Sequence, residues 1–246
     1  MSTNNLQTVS GILLIDKPVG PTSFTMVQLV RRGLGLKKVG HAGTLDPFAS
    51  GLLVICVGRP ATRRISEFME GDKVYEATLQ LGVETDTQDH TGNIVAESPI
   101  SAVDREQVEQ ILGLFKGRQL QTPPAYSALK HKGKPLYYYA RKGEDIVKDP
   151  REVLIKSIEL VSLDKDLLRI KVVCSKGTYI RTLARDIGAS LGCGAHLAEL
   201  RRLKSGYFSV NESLSGSKLR ADRKLVRDML MTNMLPVESV GWDSWN

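Results

Sequence analysis

The residue pattern predicts an α+β fold built around a mixed sheet. Short apolar strands follow one another in places, and the amphipathic helices between them come singly, unlike the strand–helix repeat of a parallel array. The composition agrees: 246 residues, 41% hydrophobic and 25% charged, describe a globular chain long enough to bury its own core, as one large domain or two small ones.

The elements follow in order. Gly11–Ile15 is a short apolar strand ending at Asp16-Lys17-Pro18. Thr22 or Ser23 caps a helix running to about Arg32, with Val27, Val30 and Leu34 spaced for one face and Gly33 as its stop. Leu52–Val57 reads as a buried strand, followed by a helix over about Pro60–Met69. Lys73–Leu81 is a strand, and Ala102–Phe115 is a helix whose Val108, Ile111, Leu112 and Phe115 share a face. Glu152–Leu163 and Leu167–Ser175 form a hairpin across Asp164-Lys165-Asp166, and Ile180–Leu191 is again an amphipathic helix.

Several classes are excluded by these patterns. The composition is not that of a disordered chain, a collagen-like repeat or a disulfide-built miniprotein. The longest apolar run, Leu52–Val57, falls far short of the roughly 18–20 residues that span a bilayer. The polar start, MSTNNLQTVS, lacks the basic and apolar regions of a signal peptide. Cys56, Cys174 and Cys193 are scattered and form no CxxC pair, which fits a reducing, cytoplasmic setting.

The net charge of +7 (34 Lys+Arg against 27 Asp+Glu) hints at a polyanionic partner, and its distribution sharpens the hint. The window 116–142 holds seven Lys+Arg, no Asp or Glu, and four of the seven tyrosines (126, 137, 138 and 139). Its basic surplus equals that of the whole chain. Lys and Arg neutralise phosphates while aromatic rings offer stacking faces to unpaired bases, so the window reads as a nucleic-acid contact. It reads as an insertion, helical only over about Leu136–Arg141, and Tyr137, Tyr138 and Tyr139 cannot all face one way, so at least one is structural.

Three further motifs stand out. Gly40-His41-Ala42-Gly43-Thr44-Leu45-Asp46-Pro47 is a tight loop around one carboxylate, and Asp46 taken alone reads as a turn former. Cys174–Arg181 carries a strand through Gly177 into a helix whose basic start attracts anions, either a phosphate or a protein carboxylate. Thr85–Gly92 places Asp86, Asp89 and His90 in one turn whose spacing matches no metal motif and is equally explained by internal hydrogen bonds. No P-loop is present, and Gly192-Cys193-Gly194 follows a helix, which argues against a dinucleotide site.

Six segments in order, GILLIDKPVG (11–20), GHAGTLDPFASG (40–51), DKVYEATLQLGVETDTQDHTG (72–92), PAYSALKHKGKPLYYYARKG (124–143), CSKGTYIRT (174–182) and GCGAHLAELRRL (192–203), resemble the tRNA pseudouridine synthase B family, of the TruB and dyskerin type. The resemblance implies a largely antiparallel central sheet flanked by helices, the pseudouridine synthase fold. It implies one catalytic domain over 1–246 with an RNA-binding thumb insertion at 116–151. It further implies an enzyme that flips uridine-55 out of the T-arm loop of tRNA and converts it to pseudouridine without cofactor or metal.

Residue by residue, Asp46 falls on the family's catalytic aspartate, Arg181 on the arginine that pairs with it, and Tyr75 on the tyrosine that stacks on the target base. His41 matches the histidine that holds the flipped-out loop, Leu200 an apolar wall of the base pocket, and Lys17-Pro18 a strand-end pair beside the catalytic loop. Lys130, Lys132 and Lys134 fall in the thumb. Many members carry a C-terminal PUA-type domain, and the family-like ending Leu235–Ser239 leads us to expect none here. A monomer is the family-level expectation. The competing readings are a noncatalytic RNA-binding protein on the same scaffold and a metal-dependent nuclease using Asp86 and Asp89.

Overall fold

The computed structural model describes residues 9–100, 103–144 and 146–239. The polar start over residues 1–8, the expected helix start at Ala102 and the residues after Ser239 lie outside the described residues. In chain order the elements are β1 (Gly11–Lys17), α1 (Ser23–Leu34), β2 (Val39–Ala42), β3 (Ser50–Val57), α2 (Gly58–Arg63), α3 (Ile65–Phe68), β4 (Lys73–Leu81), β5 (Val83–Thr85), β6 (Ile94–Glu97), α4 (Arg105–Leu114), β7 (Gly117–Gln121), β8 (Lys130–His131), β9 (Lys134–Pro135), α5 (Leu136–Ala140), β10 (Arg151–Asp164), β11 (Leu167–Cys174), α6 (Ile180–Ser190), β12 (Ala195–Ser205), β13 (Phe208–Ser209), β14 (Leu214–Ser215) and α7 (Arg223–Thr232). The chain divides into two compact units, one made of the residues up to Asp72 with those from Arg201 onward, the other of Lys73–Leu200.

In the first unit β1 pairs antiparallel with β3, β2 antiparallel with β3, and β14 parallel with β1. The second half of β12 joins the other side of β3 in parallel, at Arg201↔Ser50 and Arg202↔Gly51. Side chains alternate between the two faces of a strand, and here both faces are covered. Leu13, Ile15, Leu53 and Ile55 pack with Met26, Val27 and Val30 of α1 and with Val226 and Leu230 of α7. Ile12, Leu14, Leu52, Val54 and Cys56 pack with Ala61, Phe68 and Phe208. The unbroken apolar run of β3 is thus a strand buried on both sides.

Helix α1 begins as expected, with the Thr22 hydroxyl accepting from the Thr25 N–H. Its end differs from the sequence reading. Gly33 is not the stop: the helix continues through Leu34, and Gly35, in the left-handed region, caps it. Gly33 is instead a contact residue, since a Cβ there would lie 2.7 Å from Val226 Cγ1 on α7. The expected helix over Pro60–Met69 is broken at Arg64 into α2 and α3.

In the second unit β4, β11, β10 and β7 pair antiparallel in that order. Leu168, Ile170, Val172 and Cys174 of β11 are buried while Leu167, Arg169 and Lys171 are exposed, so this sheet has one core face, and α4 and α6 lie against its strands. The hairpin β10–β11 turns at Lys165-Asp166, with Lys165 left-handed at φ 53°. Gly117–Gln121 is the edge strand of this sheet, so the irregular excursion runs from 122 to 150. No helix among the described residues is long and apolar enough to cross a membrane.

Two glycines separate backbone constraint from packing. Gly51 sits at φ 102°, and a Cβ there would fall 2.3 Å from the Arg202 carbonyl oxygen and 2.6 Å from its nitrogen, neither of which can swing away. Gly51→Ala should therefore destabilise by about 2–4 kcal/mol, a Tm loss of order 10 °C for a chain of this size. Gly33→Ala, whose neighbours are side chains, should cost about half as much. Thermal unfolding followed by circular dichroism checks the order of the two variants; equal losses would contradict it.

Candidate active site

The loop between β2 and β3 carries Asp46, and its backbone polar groups find partners beneath it. Arg202, 2% exposed, donates from Nε to the Leu52 carbonyl at 2.8 Å, from Nη2 to Gly43 at 3.1 Å and from Nη1 to Thr44 at 3.4 Å. The buried Ser23 hydroxyl donates to the Leu45 carbonyl and accepts from the Leu45 N–H, both at 2.9 Å. The Asp46 carbonyl accepts from Ala49 N–H at 3.1 Å. Lys17, fully buried, donates from Nζ to Pro47 at 3.2 Å, and to Pro18 and Pro21 at 3.0 and 2.8 Å, using all three of its N–H bonds. From Gly43 to Pro47 every carbonyl is thus held.

Lys17 is out of water, which disfavours its charge. Burial pushes the Lys17 ammonium down to about 8, the Asp46 carboxylate draws it upward, and Arg202 adds a smaller downward push. Lys17 therefore stays charged at neutral pH, and its attraction to Asp46 is mutual. His41, paired with Ile55 in the sheet, is half-buried. Burial first and then Arg202 lower its pKa, which keeps the imidazole neutral at pH 7. Its Nδ1 is buried and meets no hydrogen-bond partner among the described residues.

The second unit holds Arg181, Tyr75 and Leu200. Arg181 is the second residue of α6 and 4% exposed. Its Nη1 donates to the Thr87 carbonyl at 3.0 Å, its Nη2 donates to the Tyr126 carbonyl at 2.8 Å, and Nη1 lies 3.4 Å from Asp89 Oδ2. The sequence reading has the basic start of α6 attract a phosphate or a protein carboxylate; the carboxylate of Asp89 lies there, and the first turn is buried through Ile180, Arg181, Thr182, Leu183 and Ala184. Tyr75 on β4 and Leu200 on β12 are each 8% exposed.

The Thr85–Gly92 turn resolves into hydrogen bonds. Asp89 Oδ1 accepts from the Thr87 hydroxyl at 2.9 Å and from the Thr91 N–H and hydroxyl at 3.0 and 2.5 Å, while Asp86 accepts from Asn93 N–H and Nδ2. Gln88 between them adopts φ 63°, an uncommon conformation for a residue with a side chain. Asp89 is thereby a support for Arg181, a role the sequence reading missed because only folding brings positions 89 and 181 together.

In the excursion, Lys130 and Lys134 lie on the two-stranded ribbon β8–β9 and Lys132 on its turn, all exposed. Tyr138 lies under two ammonium groups, with Lys134 and Lys142 Nζ at 4.4 and 4.6 Å from its ring centroid. Hydrogen bonds from Lys142 and Lys134 hold its hydroxyl below the ordinary tyrosine value. Tyr139 is the structural member of the triplet: its hydroxyl donates to the His131 carbonyl at 3.0 Å.

Residues 31–180 match the model of the TruB family pseudouridylate synthases (N-terminal domain), and 181–240 that of the tRNA pseudouridylate synthase B C-terminal domain. A tRNA pseudouridine synthase B of Desulfotalea psychrophila is 57% identical over 237 residues, covering 94% of this chain and 96% of the relative. One of Bordetella pertussis is 49% identical over 230 residues, covering 93% and 94%. Among solved structures, a chain of the archaeal box H/ACA sRNP Nop10-Cbf5 complex superposes with a TM-score of 0.69 at 26% identity, over 96% of this chain and 63% of that one. A chain of a Cbf5-Nop10-Gar1 complex superposes with a TM-score of 0.65 at 30% identity, over 83% and 52%. The present chain thus spans between about half and under two thirds of those two longer chains. With two family models accounting for residues 31–240 and relatives near half identity along almost the whole length, the chain belongs to the TruB family of pseudouridylate synthases.

Proposed function

We propose that this protein isomerises uridine-55 to pseudouridine in the T-arm loop of tRNA, acting in the cytoplasm as a monomer. The observation that carries the reading is the loop around Asp46, whose carbonyls are held from Gly43 to Pro47 while a buried ammonium favours the ionised carboxylate.

The reaction exchanges an N–C for a C–C glycosidic bond, so nothing is oxidised and the base must only be detached, turned and rejoined. A carboxylate serves as nucleophile at the sugar or the base, or as the base that takes a sugar proton. Either role belongs to Asp46. Arg181 is the guanidinium that keeps the carboxylate ionised and oriented once RNA excludes water. Tyr75 stacks on the target base and Leu200 walls its pocket. His41, neutral at pH 7, is suited to packing among flipped-out bases in place of binding phosphate. Extruding the base costs a few kcal/mol of stacking, which phosphate contacts by Lys130, Lys132 and Lys134 offset. Lys17, expected among the substrate-binding residues, supports the substrate-facing loop from beneath through the Pro47 carbonyl.

Incubation of an unmodified tRNA transcript with the protein in EDTA, followed by pseudouridine mapping, should give product at position 55. In Asp46→Asn the rate should fall by about 10³-fold or more while the Kd for tRNA stays within about twofold, since the substitution keeps the shape and removes the carboxylate that either role needs. A noncatalytic RNA-binding protein would give no product in either case, and a metal-dependent nuclease would cleave the tRNA and stop in EDTA.

Replacing Lys130, Lys132 and Lys134 together by Gln should weaken tRNA binding. It should also lower the slope of log Kd against log salt by roughly 0.7–0.9 for each phosphate that is no longer neutralised. Filter binding at several KCl concentrations measures this, and an unchanged slope would mean that the phosphates are bound elsewhere on the protein.

A further inference from the structure

Gln121 ends β7 and pairs in register with Arg151, which begins β10, so the basic excursion leaves and re-enters the sheet at one point. Although Gln121 stands at this neck, it is only 4% exposed. A carboxamide so buried needs partners for both its oxygen and its N–H groups, and it finds both on one residue. Its Nε2 donates to the Tyr179 carbonyl at 3.0 Å, and the Tyr179 N–H donates to its Oε1 at 2.7 Å.

This reciprocal pair copies the two-bond exchange of neighbouring antiparallel strands. It fixes the backbone of Tyr179, the extended residue (φ −93°, ψ 108°) from which α6 starts. The start of a helix is where backbone groups lack intrahelical partners and fray most readily, and no side chain of Tyr179 caps this one. The same neck holds the next turn as well: the Tyr126 carbonyl accepts from Arg181 Nη2 at 2.8 Å, and the Thr122 carbonyl from the Thr182 hydroxyl at 3.5 Å.

We propose that Gln121 is a positioning residue for Arg181: its carboxamide sets the backbone from which α6 departs, aims the guanidinium, and ties that aim to the root of the RNA-binding excursion. The inference rests on the reading above in which Arg181 takes part in the reaction. A freed Tyr179 lets the first turn of α6 shift, and a displacement near 1 Å at a reacting group costs up to about 100-fold in rate.

The test is the single-turnover rate of pseudouridine formation in an unmodified tRNA transcript, with tRNA Kd and Tm measured alongside. Gln121→Met keeps the volume and removes both hydrogen bonds; the rate should fall roughly 10- to 100-fold with Kd within twofold. Gln121→Glu keeps the acceptor for the Tyr179 N–H and should lose less. In an Arg181→Lys background, which already lacks the guanidinium fork, the loss from Gln121→Met should be at least about fivefold smaller than in wild type. A wild-type rate for Gln121→Met, a loss confined to Kd, or an equal loss in both backgrounds would overturn the proposal. If Gln121→Met does not fold, Gln121→Glu decides: a slower rate at unchanged Kd supports it and a wild-type rate overturns it. Full activity of Arg181→Lys alone would instead remove the catalytic reading of Arg181, whatever Gln121 does.

Discussion

On the function proposed above, a carboxylate that acts on an extruded nucleotide cannot also search for its own position, and buried donors hold the backbone of the loop bearing Asp46. Arg202 and Lys17 bind the carbonyls on either side of the aspartate, and Ser23 binds both backbone groups of Leu45 between them. Because Arg202 also bonds Leu52 within β3, the loop is referenced to the most buried strand of its unit. The strand pairing at Gly51↔Arg202, the left-handed Gly51 and the close backbone approach there all serve to bring that arginine underneath.

The choice of acceptors matters electrostatically. The neighbouring Arg201, partly exposed, is neutralised by the Asp16 carboxylate at 2.8 and 2.9 Å. The acceptors of Arg202 are carbonyl oxygens, which satisfy its N–H groups without cancelling its charge. The same holds for Lys17. Positive potential is thereby left over at the loop, where it favours an ionised Asp46 and a neutral His41. In the other unit Arg181 is treated differently: Asp89 offsets part of its charge at 3.4 Å, and two carbonyls fix its direction.

What the sequence disclosed follows the locality of each feature. The hairpin at Lys165-Asp166, the strand Lys73–Leu81 and the core face of α6 depend on neighbours in the chain and could be read from spacing. The catalytic reading of Asp46 rests on six motifs taken together, because Asp before Pro is by itself an ordinary turn. Arg202 was missed since Arg201-Arg202 looks like a solvent-facing pair; strand alternation puts one in a surface ion pair and the other in the core. Lys17 was read as lying beside the loop, and its complete burial depends on Pro47, thirty residues away in the chain. The edge strand Gly117–Gln121 carries a polar, weakly alternating sequence whose partner is found only once β10 is in place, so its sheet pairing was hidden within the basic window.

The most direct test of the held loop is the single-turnover rate of Arg202→Lys on tRNA, at a temperature where circular dichroism shows the variant folded. Lysine keeps the charge but not the three-way fork, so the rate should fall roughly 30-fold or more with tRNA affinity within twofold of wild type. A wild-type rate in a folded Arg202→Lys protein would contradict this, and would mean that Asp46 needs no such support from below.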